Sequence, residues 1–201
     1  MDYSRRQVLC GVSAWSVIPF HKLDLVEKAF PALKLVRAAR AQIGVTRSYD
    51  GSYQALSYPG GDVSQSTGVC IDVVIRALRT AFGFDLQKHI HDDMRANFNA
   101  YPNLWGLSRP DQNIDHRRVP NLETYLSRHG YEREPSNWAA GDIVSMRLAS
   151  SGLPHVVVLS DQRGRDGLPL AIHNIGRGAR EEPVLGRFED ERRFRVLPDI
   201  S

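Results

Sequence analysis

Cys70 and two histidines are the residues of this chain whose types and positions could carry out nucleophilic chemistry. Cys70 opens an apolar stretch that follows Gly68 and runs to Leu78. The N-terminus of a helix stabilises a thiolate over a thiol and lowers the pKa of a cysteine from about 8.5. A cysteine nucleophile also needs a general base from another part of the fold. The candidate bases are His155 and His173.

Two predicted strands must hold these histidines. His155 opens the segment 154–160 and His173 lies near the end of the segment 170–174, both bounded by turn residues. Their separation of eighteen residues suits neighbouring antiparallel strands, in which two imidazoles on one face can form a hydrogen bond. Asn174 is the alternative third member of the group, but it should point to the face opposite His173.

The order of the predicted elements indicates an α+β fold. Apolar residues at helical spacing precede the strands, and the β-branched Cys70 segment also permits a strand. Helices followed by strands predict an antiparallel sheet packed by the N-terminal helices. The predicted helices cover 31–43, 67–82, 86–98 and 119–129, and the predicted strands cover 141–146, 154–160, 170–174 and 194–197.

Length and composition exclude several classes of protein. The 201 residues suit one domain, and 42% hydrophobic with 24% charged residues is ordinary for a globular chain rather than a disordered, collagen-like or coiled-coil one. The net charge of +3 comes without a dense Lys/Arg run. We therefore expect no nucleic-acid partner, whereas an anionic polymer such as the bacterial cell wall suits a mild basic excess.

The amino terminus has the composition of an export signal. The pair Arg5-Arg6 precedes an apolar run from Val8 to Phe20, which is shorter than the about 20 residues that span a bilayer. This pattern predicts a twin-arginine signal over 1–25, a single domain over 26–201, a periplasmic or extracytoplasmic location and no stable membrane insertion after signal removal. The alternative is an amphipathic helix of a cytosolic protein. Because Cys10 lies in the predicted signal, Cys70 is the remaining thiol.

Several segments together carry a family resemblance. GVCIDVVIRAL, DMRANF, NIDHRRVPNL, GDIV, LPH and HNIG, within residues 35–198, resemble the NlpC-like cysteine peptidases, which are papain-related hydrolases of cell-wall peptides. The resemblance is most specific to a family of exported bacterial proteins of unassigned function within that superfamily. It implies a papain-like fold and no cofactor.

The resemblance also implies roles for individual residues. Cys70 would be the nucleophile, His155 the general base and His173 the residue that orients His155. Tyr58, twelve residues before Cys70, would line the oxyanion site together with the Cys70 N–H. Val69-Cys70-Ile71-Asp72 departs from the usual Asp-Cys-Ser-Gly, and its Gly-x-Cys-x-Asp pattern is similar to transglutaminase-like proteins.

A polar cluster is the candidate substrate-binding segment. Asp115, His116, Arg117 and Arg118 could bind a peptide carboxylate through an arginine fork, or could form a buried ion-pair network that braces the loop. Asp72 is expected to bind backbone or an arginine. The cluster from His89 to Asp93 fits no metal-ligand spacing, so no metal site is expected.

These observations lead to one function and two alternatives. The sequence predicts an exported thiol hydrolase that cleaves an amide bond in peptidoglycan peptides through a Cys-His-His triad. The alternatives are a catalytically inactive wall-binding or interaction module of the same fold, and a transglutaminase-like acyl transferase. Hydrolase and transferase share an acyl-enzyme and differ in the acceptor, which the residues do not reveal.

Overall fold

The computed structural model describes residues 30–149 and 151–197, so the predicted export signal lies outside the described residues. The helices precede the main sheet in this part of the chain, and one of them begins at Cys70. They are α1 (Pro31–Arg40), α2 (Cys70–Phe82), α3 (Leu86–Asn97) and α4 (Val119–Arg128), with short 3₁₀ turns at Phe98–Ala100 and Asp115–Arg117. None of the helices in this part is long and apolar enough to cross a membrane.

A six-stranded antiparallel sheet follows the helices. The strands are β1 (Ser48–Tyr49), β2 (Thr67–Gly68), β3 (Glu132–Arg133), β4 (Ile143–Arg147), β5 (Pro154–Arg163), β6 (Pro169–Asn174), β7 (Ala179–Glu182) and β8 (Glu189–Phe194). The spatial order in the sheet is β3-β8-β4-β5-β6-β7, and a separate two-stranded parallel pair joins β1 to β2. The predicted α+β class, with N-terminal helices and a C-terminal antiparallel sheet, is confirmed.

The Cys70 segment is a helix rather than a strand. The carboxylate of Asp72 accepts a hydrogen bond of 2.6 Å from the Val69 N–H, which satisfies one of the free donors at the start of α2. Gly83, with φ of 66°, ends the helix in the left-handed conformation that glycine adopts without strain. Cys70 is therefore the first helical residue, as the nucleophile hypothesis requires.

The last predicted strand, 194–197, was misplaced. The structure instead forms β8 at Glu189–Phe194. This strand consists mostly of charged residues, so its sequence lacks the alternation of apolar and polar residues that predicts a half-buried strand. Arg193 forms an ion pair of 2.7 Å with the fully buried Asp142. Arg192 pairs with Glu132 at 2.9 Å. These contacts fix a strand that a hydrophobic pattern does not reveal.

The sheet is buried on both faces. Val156, Val158 and Ile172 project toward the helices and join a core with Ile71 and Leu78 of α2, among other residues. The alternate residues of the same strands, including Val157, Leu159 and Ala171, form a second cluster on the opposite face. The position of a side chain along β5 or β6 therefore determines whether it meets α2.

Candidate functional site

Cys70 is held at the junction of α2 and the central strand β5. Its side chain is buried, with the residue 4% exposed. Backbone N–H groups of Val156, Ile71 and Cys70 itself are directed at Sγ. Val156 follows His155 directly, so one N–H that points at the sulfur lies immediately beside the candidate base. The structure thus brings the predicted nucleophile and the strand of the predicted base together.

His155 and His173 form a buried pair. The Nε2 of His155 lies 2.9 Å from the Nδ1 of His173, and both residues are almost fully buried. Beyond them, Oε1 of Glu182 on β7 lies 3.2 Å from Nε2 of His173, off the axis of a hydrogen bond. The pairing predicted from the spacing of the two strands is confirmed, and Glu182 is a third member that the sequence analysis missed.

The histidine pair lies where strands β5 and β6 separate. The last paired residues of β5 and β6 at this end of the sheet are Val158 and Ile172. The beginning of β5, with His155, and the end of β6, with His173, lie beyond the paired part. Alternation places the imidazoles on the face of the second cluster, where His155 lies 6.2 Å from the ring of Phe188. Within residues 30–149 and 151–197, no hydrogen bond joins Cys70 to either imidazole.

The hydrogen bond between the two imidazoles links the tautomer of His155 to that of His173. Because Nε2 of His155 binds Nδ1 of His173, one nitrogen must donate and the other accept. If Nε2 donates, Nδ1 of His155 is left as an unpaired base. No described residue hydrogen-bonds that Nδ1. Catalytic hydrogen bonds of free enzymes are often long and tighten in the substrate complex.

Tyr49 is the tyrosine that lies at Cys70. The parallel pairing of Tyr49 with Gly68 brings it beside the start of α2. Its hydroxyl contacts the Cys70 sulfur, and its pKa is raised to about 12 by burial, with the charge of Cys70 a second cause. The sequence analysis missed Tyr49 because the loop 50–66 separates the two pairing segments.

Tyr58 is not brought to Cys70. Its hydroxyl forms a hydrogen bond of 3.1 Å with Asp92 on α3, and its ring contacts His91 edge-on. The cause is the anchoring of its loop, since the N–H groups of Gly60 and Gly61 bind side chains at the start of α3. The expectation that Tyr58 lies beside Cys70 is therefore wrong, and Tyr49 occupies that position.

Asn174 faces the helices, as expected from its position next to His173. Its Nδ2 donates to the carbonyl oxygens of Ser48 and Gly68 at 3.0 and 2.8 Å. These two bonds tie the end of β6 to the turn that precedes Cys70. Asn174 is a positioning residue of this turn and is not part of the imidazole chain.

The predicted substrate cluster is divided by its 3₁₀ turn. Arg117 forms a fully buried bidentate ion pair with Asp72, with two contacts of 2.9 Å. The expectation that Asp72 binds backbone and an arginine is confirmed. His116 is also buried, and burial lowers its pKa to about 4. These two residues brace the fold, whereas Arg118 turns toward a surface cavity with Asp115 beside it.

The resting Cys70–His155 site is electrically neutral. Burial raises the pKa of the Cys70 thiol to about 11, against the opposing effect of the N–H groups around it. Burial and then the charge of His173 lower the pKa of His155 to about 3. At neutral pH the sulfur is therefore a protonated thiol and the imidazole of His155 is uncharged.

The buried His155 makes the stability of the protein depend on pH. Its pKa in the folded state lies below the unfolded value, so the unfolded chain binds more protons between about pH 3 and 6.5 and stability falls as the pH falls through this range. We expect the wild-type chain to lose about 2 kcal/mol more than a His155→Gln variant between pH 7 and 5. Urea unfolding at both pH values measures the difference. An exposed-site His129→Gln variant should behave like wild type, and equal losses in wild type and His155→Gln would refute the shift.

In the described part of the chain, no group of three or more His, Cys, Asp and Glu side chains is arranged to hold a metal ion. The histidines of the 89–93 segment make ring contacts instead. His89 stacks on Phe84 with ring centroids 4.2 Å apart, and His91 packs against Tyr58.

The comparison with known proteins places the chain in a family. A family model described as Domain of unknown function (DUF1287) matches residues 36–196, and the chain belongs to this family. The match includes Cys70, both paired histidines and Tyr49. The chain is also 59% identical over 157 residues to Uncharacterized protein YijF of Escherichia coli (strain K12), over 76% of each protein.

Proposed function

We propose that this protein is an exported thiol hydrolase that cleaves an amide bond in peptidoglycan peptides. The observation that carries the proposal is the position of Cys70 at the start of α2, where the N–H of Val156, next to His155, is directed at Sγ. The second imidazole occupies Nε2 of His155 and leaves Nδ1 without a hydrogen-bond partner among the described residues. The helix that begins at Cys70 and packs on an antiparallel sheet is consistent with a papain-like fold. The periplasmic location and the cell-wall substrate rest on the twin-arginine pattern and on the resemblance to NlpC-like enzymes.

The proposed reaction has two steps. In the first, Sγ of Cys70 attacks the amide carbonyl carbon, its proton passes to Nδ1 of His155, and the C–N bond breaks as His155 gives that proton to the leaving nitrogen. In the second, His155 takes a proton from water, the hydroxide adds to the thioester carbon, and the S–C bond breaks with return of the proton to Sγ. His173 orients His155 and Glu182 stabilises the charge that develops on the pair.

Tyr49 takes the oxyanion role in this proposal. Its hydroxyl already contacts Cys70, and the N–H of the first helical residue has no partner within the helix. Two donors beside the attacking sulfur would stabilise the negative oxygen that forms in each step. Loss of one such donor typically costs about 100- to 1,000-fold in rate.

The burial of Cys70 supports a second candidate function. A thiol that is 4% exposed, with its pKa raised to about 11, is typical of a structural cysteine. A catalytically inactive module that binds wall peptides would keep this cysteine as part of its core. The hydrolase cleaves an amide bond of the peptide that it binds, whereas the binding module leaves the peptide intact.

Isotope labelling of the products separates the candidates. Soluble muropeptides are incubated with the full chain in water enriched in oxygen-18, and the products are weighed by mass spectrometry. A hydrolase gives a shortened peptide whose new carboxylate carries one heavy oxygen. An acyl transferase joins the peptide to an added amine without the label, and a binding module returns the peptides unchanged. Either of the last two results would overturn the proposed hydrolysis.

A further inference from the structure

A cavity of about 360 Å³ lies between α3, α4 and the loop that follows α3. Its size falls in the range of small-molecule sites, which is about 300 to 1,000 Å³. Phe98, Tyr101, Trp105 and Leu107 form its apolar walls, while Arg118 and Asn121 supply polar groups at the start of α4. The cavity is separate from the Cys70 site.

Arg118 reaches this cavity with unused hydrogen-bond donors. Its guanidinium lies 3.9 Å from the centroid of the Trp105 ring, which fixes its plane. Its Nη1 donates to Asp115 at 3.1 Å, and no described residue accepts from its Nε or Nη2. Burial lowers the pKa of Arg118, with Asp115 acting against this effect. A mostly buried cation with free donors is a ready site for one carboxylate.

Asn121 adds an unused acceptor beside this cation. The residue is 1% exposed, and its Nδ2 donates to the carbonyl oxygen of Asp115 at 3.1 Å. That bond fixes the orientation of the amide, and Oδ1 is buried without a hydrogen-bond partner among the described residues. An orphaned buried acceptor is costly, so its presence in a cavity wall points to a ligand that donates an N–H.

We propose that this cavity binds the C-terminal residue of a short peptide, with the terminal carboxylate on Arg118 and the N–H of the same residue on Oδ1 of Asn121. In such a residue the carboxylate and the amide N–H are attached to the same carbon. Their closeness matches that of the donor, Arg118, and the acceptor, Asn121, which lie three residues apart at the start of α4. The aromatic walls take its side chain. The single cation, partly paired with Asp115, does not suit a multiply charged phosphate.

A second surface cavity adjoins this one and reaches the start of β5. This cavity of about 630 Å³ shares Pro102 and Trp105 with the first and extends to Leu153 and Pro154, the residue before His155. A peptide anchored at Arg118 can therefore extend along this cavity to Pro154, the neighbour of the proposed base. This extension rests on the proposed hydrolase function, whereas the carboxylate site does not.

Calorimetric titration tests the site independently of catalysis. The probes are N-acetyl-alanyl-alanine and its C-terminal amide, titrated to millimolar concentration into the full chain carrying Cys70→Ala, which cannot form an acyl-enzyme. We expect the acid to bind at least about tenfold more tightly than the amide. Arg118→Met should weaken binding of the acid by about 10- to 100-fold, because a charged hydrogen-bond pair is lost.

Two further variants keep this test decisive. Asn121→Asp retains the shape of the side chain and places a negative charge beside the bound carboxylate, so it should also weaken binding at least about tenfold. Arg165→Met removes an exposed arginine in the β5–β6 turn and should leave binding unchanged. Equal binding of acid and amide, binding that survives Arg118→Met, or no binding of either probe would overturn the carboxylate site. Binding without oxygen-18 labelling would overturn only the hydrolase.

Discussion

Replacement of Cys70 by alanine is expected to lower kcat for muropeptide cleavage by on the order of 10⁴-fold or more. In the proposed reaction Sγ of Cys70 forms the acyl-enzyme, and His155 and Tyr49 cannot replace that atom. The substitution deletes only Sγ from a buried position, so folding should persist. Steady-state kinetics with a muropeptide that the wild-type chain cleaves gives the measurement, and circular dichroism confirms the fold.

Cys10→Ala is the matched control for this prediction. Cys10 is the other cysteine of the chain and lies in the predicted export signal. Its replacement should leave kcat unchanged. A Cys70→Ala chain with wild-type kcat would exclude the thiol from the reaction and leave Cys70 as a core residue.

Arg117→Met is expected to destabilise the protein by about 3 to 5 kcal/mol. The side chains of Arg117 and Asp72 are only 2% and 3% exposed, so the variant leaves a carboxylate buried without its cation. Asp72 also accepts the Val69 N–H at the start of α2, which ties the loss to the position of Cys70. Equilibrium unfolding in urea at neutral pH measures the change in the free energy of unfolding.

Lys88→Met provides the comparison for a surface ion pair. Lys88 pairs with Asp92 on the exposed side of α3, and the two side chains are 55% and 46% exposed. Water and salt screen such a pair, so its loss should change the free energy of unfolding far less than Arg117→Met does. A loss of similar size in both variants would contradict the structural role assigned to Arg117.

The main elements could be predicted because their signals are local. Helical spacing located α1, α3 and α4 within a few residues, and strand patterning placed His155 and His173 on neighbouring strands. The charged strand β8 escaped prediction because Arg192 and Arg193 are satisfied by ion pairs with residues distant in the sequence. A pattern of alternating hydrophobic residues contains no information about ion pairs between distant parts of the chain.

The candidate site was only partly predictable for the same reason. The family resemblance implied Tyr58, twelve residues before Cys70, but a parallel pairing across the loop 50–66 brings Tyr49 to Cys70 instead. The segment 115–118 was treated as one cluster, whereas its 3₁₀ turn sends His116 and Arg117 into the interior and Arg118 into a cavity. The direction of each side chain depends on tertiary contacts, which the spacing of residues in the sequence does not predict.

The most direct test of the central claim is the intact mass of the protein during turnover. A Cys10→Ala chain, which retains Cys70 as its one thiol, is mixed with a cleavable muropeptide, quenched in acid and weighed, and any adduct is located by peptide mapping. We expect a transient mass increase equal to the acyl part of the substrate, located on Cys70 and absent in Cys70→Ala. Muropeptide cleavage that proceeds without an adduct on Cys70, or an adduct on another residue, would contradict the central claim.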